Sequence, residues 1–520
     1  MNSNLIRGAL LASVVAMPAV AEEPVRGGTL RLVTTGEPSN YDCHAATSIT
    51  AQQYLAPHYS TLMRFDQSDY PAIHPDVATA WTVSDDLTRY SVTLREGITF
   101  HDGSTLDAED VAASFRRMAW PEGNVSARVS QFAPLSEINV TGPYSLEFVL
   151  SEPSVSFLNV LASPWNCIYS AELLAENPDY PERVIMGSGP FLFEEHVAGA
   201  SWSGTRNPEY YDPALPYLDA FRMLVSSGPA TLNAMAGGQV DANLRLMSVS
   251  DMQRIREARG DAVTFQTTPV TSVSILTINT TRPPFDDVRV RRALSLAIDR
   301  HLGVSVLGDL AGQRWPHIIF REGHALSPVG EDLAAYPGYG PDVEAARAEA
   351  RALLAEAGQE NLRFTLLNRN IANPYEPLGI YLIDQWRQIG VEVEMETADT
   401  GVWTGRLSSG DFDVSVDLNA PVSDEPTEVL LKYLPGSSSE YSGIEDARLV
   451  ELYAAQDRTA DPEARAALVR EFVDRVVELQ YVIPTFNAER NVAFDSRLKG
   501  WQTPPTFYVG IDLARVWWAE

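Results

Sequence analysis

The chain has 520 residues, 45% of them hydrophobic, with 69 acids against 39 bases and a formal net charge of −30. So negative a balance repels nucleic-acid phosphates and anionic membrane surfaces, which excludes both as partners and fits a solvated surface. The length exceeds what one hydrophobic core usually serves, so two or more lobes are expected.

In chain order, the first signal is a secretory one. Arg7 precedes GALLASVVAMPAV, an apolar run of 13 residues, and Ala19, Val20 and Ala21 form an A-x-A cleavage site. Residues 1–21 therefore read as a signal peptide of an exported protein. Elsewhere no stretch approaches the roughly 20 apolar residues of a membrane-spanning helix. Cys43 and Cys167 are the only cysteines. In an oxidising compartment they read as a disulfide, as two inert buried thiols, or as a thiol near a ligand site.

LRLV at 30–33 reads as a short strand that leaves its sheet at Gly36 and Pro38. Further on, Tyr90, Val92 and Leu94 alternate with Ser91, Thr93 and Arg95 in the period of a half-buried strand. The polar run that follows, His101, Asp102, Ser104, Glu109 and Asp110, has the residue types of an active site but reads as scaffolding. His101, Asp102 and Gly103 suit a turn, and Asp107 suits the N-cap of a helix whose first turn carries the two acids. Val111, Phe115 and Met118 then form one apolar stripe.

The later elements alternate. A helix stops at Gly237 and Gly238 before a strand; Asp287 caps a helix striped by Val290, Ala293, Leu294 and Ala297; Asp342 caps another that ends at Gly358. ENLRFTLLN reads as a strand, followed by a helix through Tyr381 and Trp386 and the strand VEVEMET. Strand, helix, strand alternation implies α/β lobes with covered sheets. No short repeat, Walker A pattern, H-E-x-x-H or G-x-S-x-G element is present, so no enzyme, cofactor or metal is expected. The 8 histidines are not paired at ligand spacing.

Five blocks carry a resemblance: RGGTLRLVTTGEPSNYD at 26–42, PDVATAWTVSDDLTRYSVTLREGITFHDGSTLDAEDVAASF at 75–115, GSGPFLFEEHVAGASWSGTRNPEYYDPALPYLD at 187–219, INTTRPPFDDVRVRRALSLAIDR at 278–300, and PDVEAARAEARALLAEAG at 341–358. Together they resemble the extracytoplasmic solute-binding proteins of the peptide, nickel and opine class. The resemblance implies a large type II periplasmic-binding-protein fold with two hinged lobes. The first lobe is expected at about 22–268, with an extra subdomain at about 60–180, and the second at about 269–482. Residues 483–520 return to the first lobe, and the hinge falls near TTPVTSVSI and YVIPTFNAE. The implied function is capture of a small-molecule solute between the lobes and delivery to the membrane permease subunits of an ABC importer, as a monomer. An exported hydrolase acting on a saccharide or peptide is the alternative.

Dipeptide and oligopeptide binders of this class carry a W-x-x-D element whose Asp holds the ligand's amino terminus. Aligned on the downstream Glu-Pro, Asn419 stands in the Trp position and Val422 in the Asp position. In a second element, R-a-Y-N-P, whose Arg holds the ligand carboxylate, Asn370 stands in the Arg position and Ala372 in the Tyr position. Asp424 and Arg369 are the substitutes after a small register shift. The departures predict a neutral pocket built from Asn370, Asn373, Asn419 and Trp403, suited to an oligosaccharide or opine-like solute, with turn and core roles as the rival readings. From the first lobe, the loop His44, Ala46 and Thr47, the pair Trp165 and Asn166, and Tyr508 are expected at the ligand. His44 is read as an exposed loop residue.

Overall fold

The computed structural model of the chain describes residues 23–520 apart from 35, 39, 47, 123–125, 227, 244–246 and 372. The predicted signal peptide, Thr47 and Ala372 thus lie outside the described residues. The alternation at 90–95 forms the strand Arg89–Leu94, with Tyr90, Val92 and Leu94 buried and the residues between them exposed. It lies second in a four-stranded antiparallel sheet ordered Ala78–Val83, Arg89–Leu94, Ser145–Leu150 and Leu135–Gly142. The helix Ala108–Ala119 packs on this sheet, its Val111, Phe115 and Met118 sharing one core with Tyr90 and Phe148. Its start is a capping box: Asp107 accepts the Glu109 N–H and Asp110 accepts the Asp107 N–H. The polar run before it is scaffolding as well, since Asp102 binds Ser104 and His101 Nε2 bonds the Gly189 carbonyl at 3.1 Å.

An 11-stranded mixed sheet carries most of the remaining chain. One end runs Glu392–Ala398, Arg363–Arg369, Val414–Asn419; the other runs Ala242–Asn243, Thr29–Thr34, Ala220–Val225, Ser201–Arg206, Phe191–Val197. Two long antiparallel strands, Val263–Ile278 and Val482–Asp495, join the ends, and Gln313–Pro316 pairs with the second of them. Their ladder breaks between Pro269 and Val273, where Asn487 Nδ2 donates to the Val270 and Ser272 carbonyls at 2.8 and 3.2 Å. Such an irregularity bends a strand and lets one sheet change direction.

Helices cover both faces of the 263–278 end. Leu276 and Ile278 enter a core with Leu294, Trp386 and Val416, whereas Val273 and Ile275 enter a different one with Tyr433, Phe472 and Tyr481. Asp287 and Asp342 cap their helices as predicted, accepting the Arg289 and Ala345 N–H groups, and Gly358 takes φ 68° just beyond the second.

Candidate functional site

The strand Val414–Asn419 runs into a loop and then the short helix Pro426–Leu430. Glu425 is the N-cap, accepting the Thr427 N–H at 2.6 Å, and Pro426 starts the helix where a missing N–H costs nothing. Three residues past the cap, Glu428 reaches back across the loop. Its Oε1 accepts the Val422 N–H at 2.7 Å, and its Oε2 accepts the Ser423 N–H at 3.1 Å and the Ser423 hydroxyl at 2.6 Å. Burial pushes its carboxyl upward against these hydrogen bonds.

Glu425, Glu428 and Val422 line one side of a cavity of about 230 Å³, with Asp457 and Arg458 beside them. Phe65, Gln131, Val160 and Ser163, from the chain around the four-stranded sheet, line the other side. Direct bonds join the two sides beside it. The Val155 N–H donates to the Asp457 carbonyl at 2.8 Å, the Ser156 N–H to Asp457 Oδ1 at 3.1 Å, the Asp424 N–H to Tyr70 Oη at 2.8 Å, and Arg458 pairs with Glu152.

A second set of side chains braces this region. Arg128 donates through Nη1 to the Cys43 and His44 carbonyls at 3.3 and 3.0 Å and through Nη2 to the Ala46 carbonyl. Its guanidinium lies 4.2 Å from the Trp165 ring centre, and Trp165 stands 5.7 Å from the Tyr508 ring. Burial lowers the Arg128 pKa to about 10, which leaves it charged at neutral pH. Thr506 Oγ1 ties the chain near Tyr508 to the Val422 carbonyl at 2.7 Å. Replacing Arg128 by Met keeps a flexible side chain on Trp165 but leaves the Cys43 and Ala46 carbonyls without this donor. The expected cost is about 2–3 kcal/mol, read as a lowered urea midpoint; an unchanged midpoint would show that the clamp contributes nothing.

Cys43 and Cys167 form a disulfide with Cα atoms 6.1 Å apart. His44 is fully buried, not an exposed loop residue. Burial lowers its pKa to about 3, so the neutral ring donates from Nε2 to the Cys167 carbonyl at 3.0 Å and accepts from Arg117 at Nδ1. Those bonds occupy both nitrogens. Asn166 is also inside, donating to the Val160 and Leu161 carbonyls at 2.7 and 3.2 Å.

The predicted neutral pocket is not assembled. Asn419 turns inward and donates to the Val429 carbonyl at 2.9 Å, which secures the helix Pro426–Leu430. Asn370 and Asn373 are exposed, and Asn370 Nδ2 is bonded to Asp399 at 3.1 Å. Trp403 is buried against Leu367, Leu407 and Phe412, its indole N–H donating to Ser415 Oγ at 3.1 Å. Arg369 lies over the Tyr375 and Trp403 rings at 5.4 and 5.5 Å and donates to Thr400 and the Tyr375 hydroxyl, away from the cavity wall. Asp424 is neutralised by a bidentate bond from Arg321, so its carboxylate is not a spare partner for a ligand amine. Of the predicted residues, only Val422 lines the cavity, with Trp165, Tyr508 and Ala46 tied into the braces behind it.

Glu428, Asp457 and Arg128 went unread in the sequence. For Glu428 a signal existed: an acid three residues after a capping residue, in E-P-T-E, commonly reaches back to backbone N–H groups. Among the described residues, no group of three or more His, Cys, Asp and Glu side chains is placed to hold a metal ion.

The sequence pattern of the bacterial extracellular solute-binding proteins, family 5 Middle, matches residues 72–441. The probable di/tripeptide-binding protein 5 of Pseudomonas aeruginosa is 26% identical over 95% of this chain and 96% of its own length. The periplasmic oligopeptide-binding protein OppA of Salmonella typhimurium is 24% identical over 93% and 92%. Among solved structures, the periplasmic binding protein AgaA of A. tumefaciens R10 with agropinic acid superposes with a TM-score of 0.79 at 25% identity, covering 95% of this chain and 99% of that one. The oligopeptide-binding protein AppA of Bacillus subtilis with a nonapeptide gives 0.78 at 20% identity, covering 96% and 100%. With a match across most of its length and a two-lobed fold shared end to end, this chain belongs to the bacterial extracellular solute-binding proteins, family 5.

Proposed function

We propose that the protein is the periplasmic solute receptor of an ABC importer, exported by cleavage near residue 21, and that it captures a short peptide between two lobes as a monomer without altering it. The lobes in this reading are 22–268 with 483–520, and 269–482. The chain crosses between them in the two long strands, whose break at Pro269 to Val273 is the hinge. The observation that carries the reading is the cavity whose walls come from both regions, beside which Tyr70, Glu152, Val155 and Ser156 on one side bond Asp424, Asp457 and Arg458 on the other. A solute shifts such an arrangement toward closure only by binding the closed form better than the open one, which requires contacts from both walls.

Size narrows the ligand. About 230 Å³ lies below the roughly 300–1,000 Å³ of drug-sized sites, so the cavity suits one or two residues of a short peptide. The similarity to an agropinic acid receptor gives an opine as the second reading.

The test is a thermal-shift screen of the mature protein, freed of ligand by unfolding and refolding, against separate pools of di- to pentapeptides, opines and oligosaccharides. A ligand at 100 times its Kd stabilises by about 2.7 kcal/mol, which raises Tm by a few degrees in a protein of this size. The peptide pool is expected to give the shift, and chromatography should return the peptide intact. A shift with opines or saccharides alone would overturn the peptide reading, and turnover of bound peptide would overturn the receptor reading.

A further inference from the structure

The helix Ala447–Asp457 ends, as every helix does, with carbonyls that need donors from outside its own turns. Thr459 serves two of them from the same stretch of chain, its hydroxyl donating to the Ala455 carbonyl at 2.7 Å and its N–H to the Gln456 carbonyl at 3.3 Å. The Asp457 carbonyl is served from the opposite wall of the cavity. Its donor is the Val155 N–H at 2.8 Å, the Ser156 N–H donates to the Asp457 carboxylate at 3.1 Å, and Arg458 pairs with Glu152. Each of these bonds joins protein to protein, so its strength does not depend on which solute lies in the cavity.

Each half is held in place by its own region. Asp457 Oδ1 also accepts the Thr427 hydroxyl at 3.1 Å, and Thr427 Oγ1 in turn accepts the Gln456 amide at 2.8 Å. On the other wall, the segment 152–156 is tied to the four-stranded sheet. The Ser154 carbonyl accepts the Tyr90 hydroxyl, and the Ser154 N–H donates to the Leu87 carbonyl at 3.3 Å. A contact between pre-positioned groups loses little conformational freedom on forming, so more of its bonding appears as net association.

We infer that Asp457, Arg458 and the segment 152–156 form a latch that holds the two walls together before a solute arrives, and that it adds the same increment to the affinity for every solute. They are positioning residues, because a receptor whose binding-competent arrangement is only partly populated binds each solute more weakly by that fraction. The inference rests on the reading of the two walls as lobes of a solute receptor. Glu152 and Arg458 also line the cavity, so direct contact with the solute is the rival role.

The Glu152 and Arg458 side chains are half-exposed, so reversing their charges leaves the core intact, which circular dichroism checks. Small-angle scattering of the ligand-free mature protein is the first measurement. Glu152→Arg or Arg458→Glu alone opposes like charges and should raise the radius of gyration. The two together restore an ion pair and should return it to the native value, which a loss of packing would not do. Calorimetric titration with tri-alanine and tri-leucine is the second measurement. Each single reversal should weaken both peptides by the same factor, about 5-fold at low salt, the double exchange should restore both, and high salt should narrow the differences. Single variants that scatter like the native protein, or a double exchange that stays expanded, would overturn the inference. Unequal losses for the two peptides would overturn it as well, by showing that Glu152 or Arg458 touches the solute. If neither peptide binds, the peptide reading falls and the scattering alone decides the latch.

Discussion

Replacing Cys43 and Cys167 by serine is expected to remove about 5 kcal/mol of stability, the largest single effect predicted for this protein. The bond joins positions separated by 124 residues. In the chain-entropy account, a cross-link stabilises by denying the unfolded chain its freedom, and the gain grows with the logarithm of the closed loop. The native side adds a local reason. Cys43 and Cys167 are buried in one cluster with Leu55, Tyr59, Tyr169 and Tyr180, and the neighbouring loop is held by Arg128 and by the bond from His44 to the Cys167 carbonyl. Once the bond is gone, these contacts and the hydrogen bonds of Tyr169 Oη with the Cys43 N–H and Asp42, at 2.8 and 3.0 Å, keep the first strand's loop against the segment before the helix Ala171–Glu176. Urea unfolding of the double-serine variant, and of the native protein with and without reductant, measures the effect. A loss under about 1 kcal/mol would mean that the unfolded chain gains little freedom on cleavage.

Lowering the pH from 7.5 to 5 is expected to cost the ligand-free protein about 4 kcal/mol, through histidines that the fold keeps neutral. Burial pushes His44 and His58 down to about 3 and His317 down to about 4. Each has a neutral role. His58 Nδ1 donates to the Phe191 carbonyl while Nε2 accepts the Trp202 indole N–H, and His317 Nε2 bonds the Ser274 carbonyl at 3.0 Å. Unfolded histidine titrates near 6.5, so below that pH the unfolded chain binds protons that the folded one refuses. Stability is therefore complete above about 6.5 and is lost as pH falls toward 4, by about 2 kcal/mol per histidine at pH 5. Asp110 acts in the opposite sense. Burial raises it to about 6, so the folded state takes up its proton first and regains about 1 kcal/mol by pH 5. The buried acids Glu425 and Glu428, also raised, add to that offset. His44→Gln retains a donor for the Cys167 carbonyl and cannot charge. It should shrink the pH 7.5 to 5 difference by about 2 kcal/mol, and equal stability of the native protein at both pH values would refute the account.

Much of the architecture was legible before any coordinates, because its signals are local. Asp107, Asp287 and Asp342 cap helices within three residues of themselves, Gly358 ends one by taking a positive φ, and the stripe of Val111, Phe115 and Met118 needs only the helical period to find its sheet. Five blocks in a family's order then supplied the class of protein, and the matching pattern over residues 72–441 agrees.

What the site presents was decided only in three dimensions. Tyr70 meets Asp424 across 354 positions and Ser156 meets Asp457 across 301, distances at which no local pattern operates. In the loop after Val414–Asn419, residue type does not say which way each side chain turns. Asn419 has every attribute of a ligand contact, but the unsatisfied carbonyl of Val429 lies within its reach and claims it. Trp403 found an apolar cluster and a hydroxyl for its N–H, so it stayed in the core. Glu428 is a first-turn acid of a short helix. The fold shows which N–H groups it reaches, those of Val422 and Ser423, and that it lines the cavity. Local order follows from backbone preferences carried by neighbouring residues, whereas the charge of a cleft depends on which distant groups have already satisfied one another.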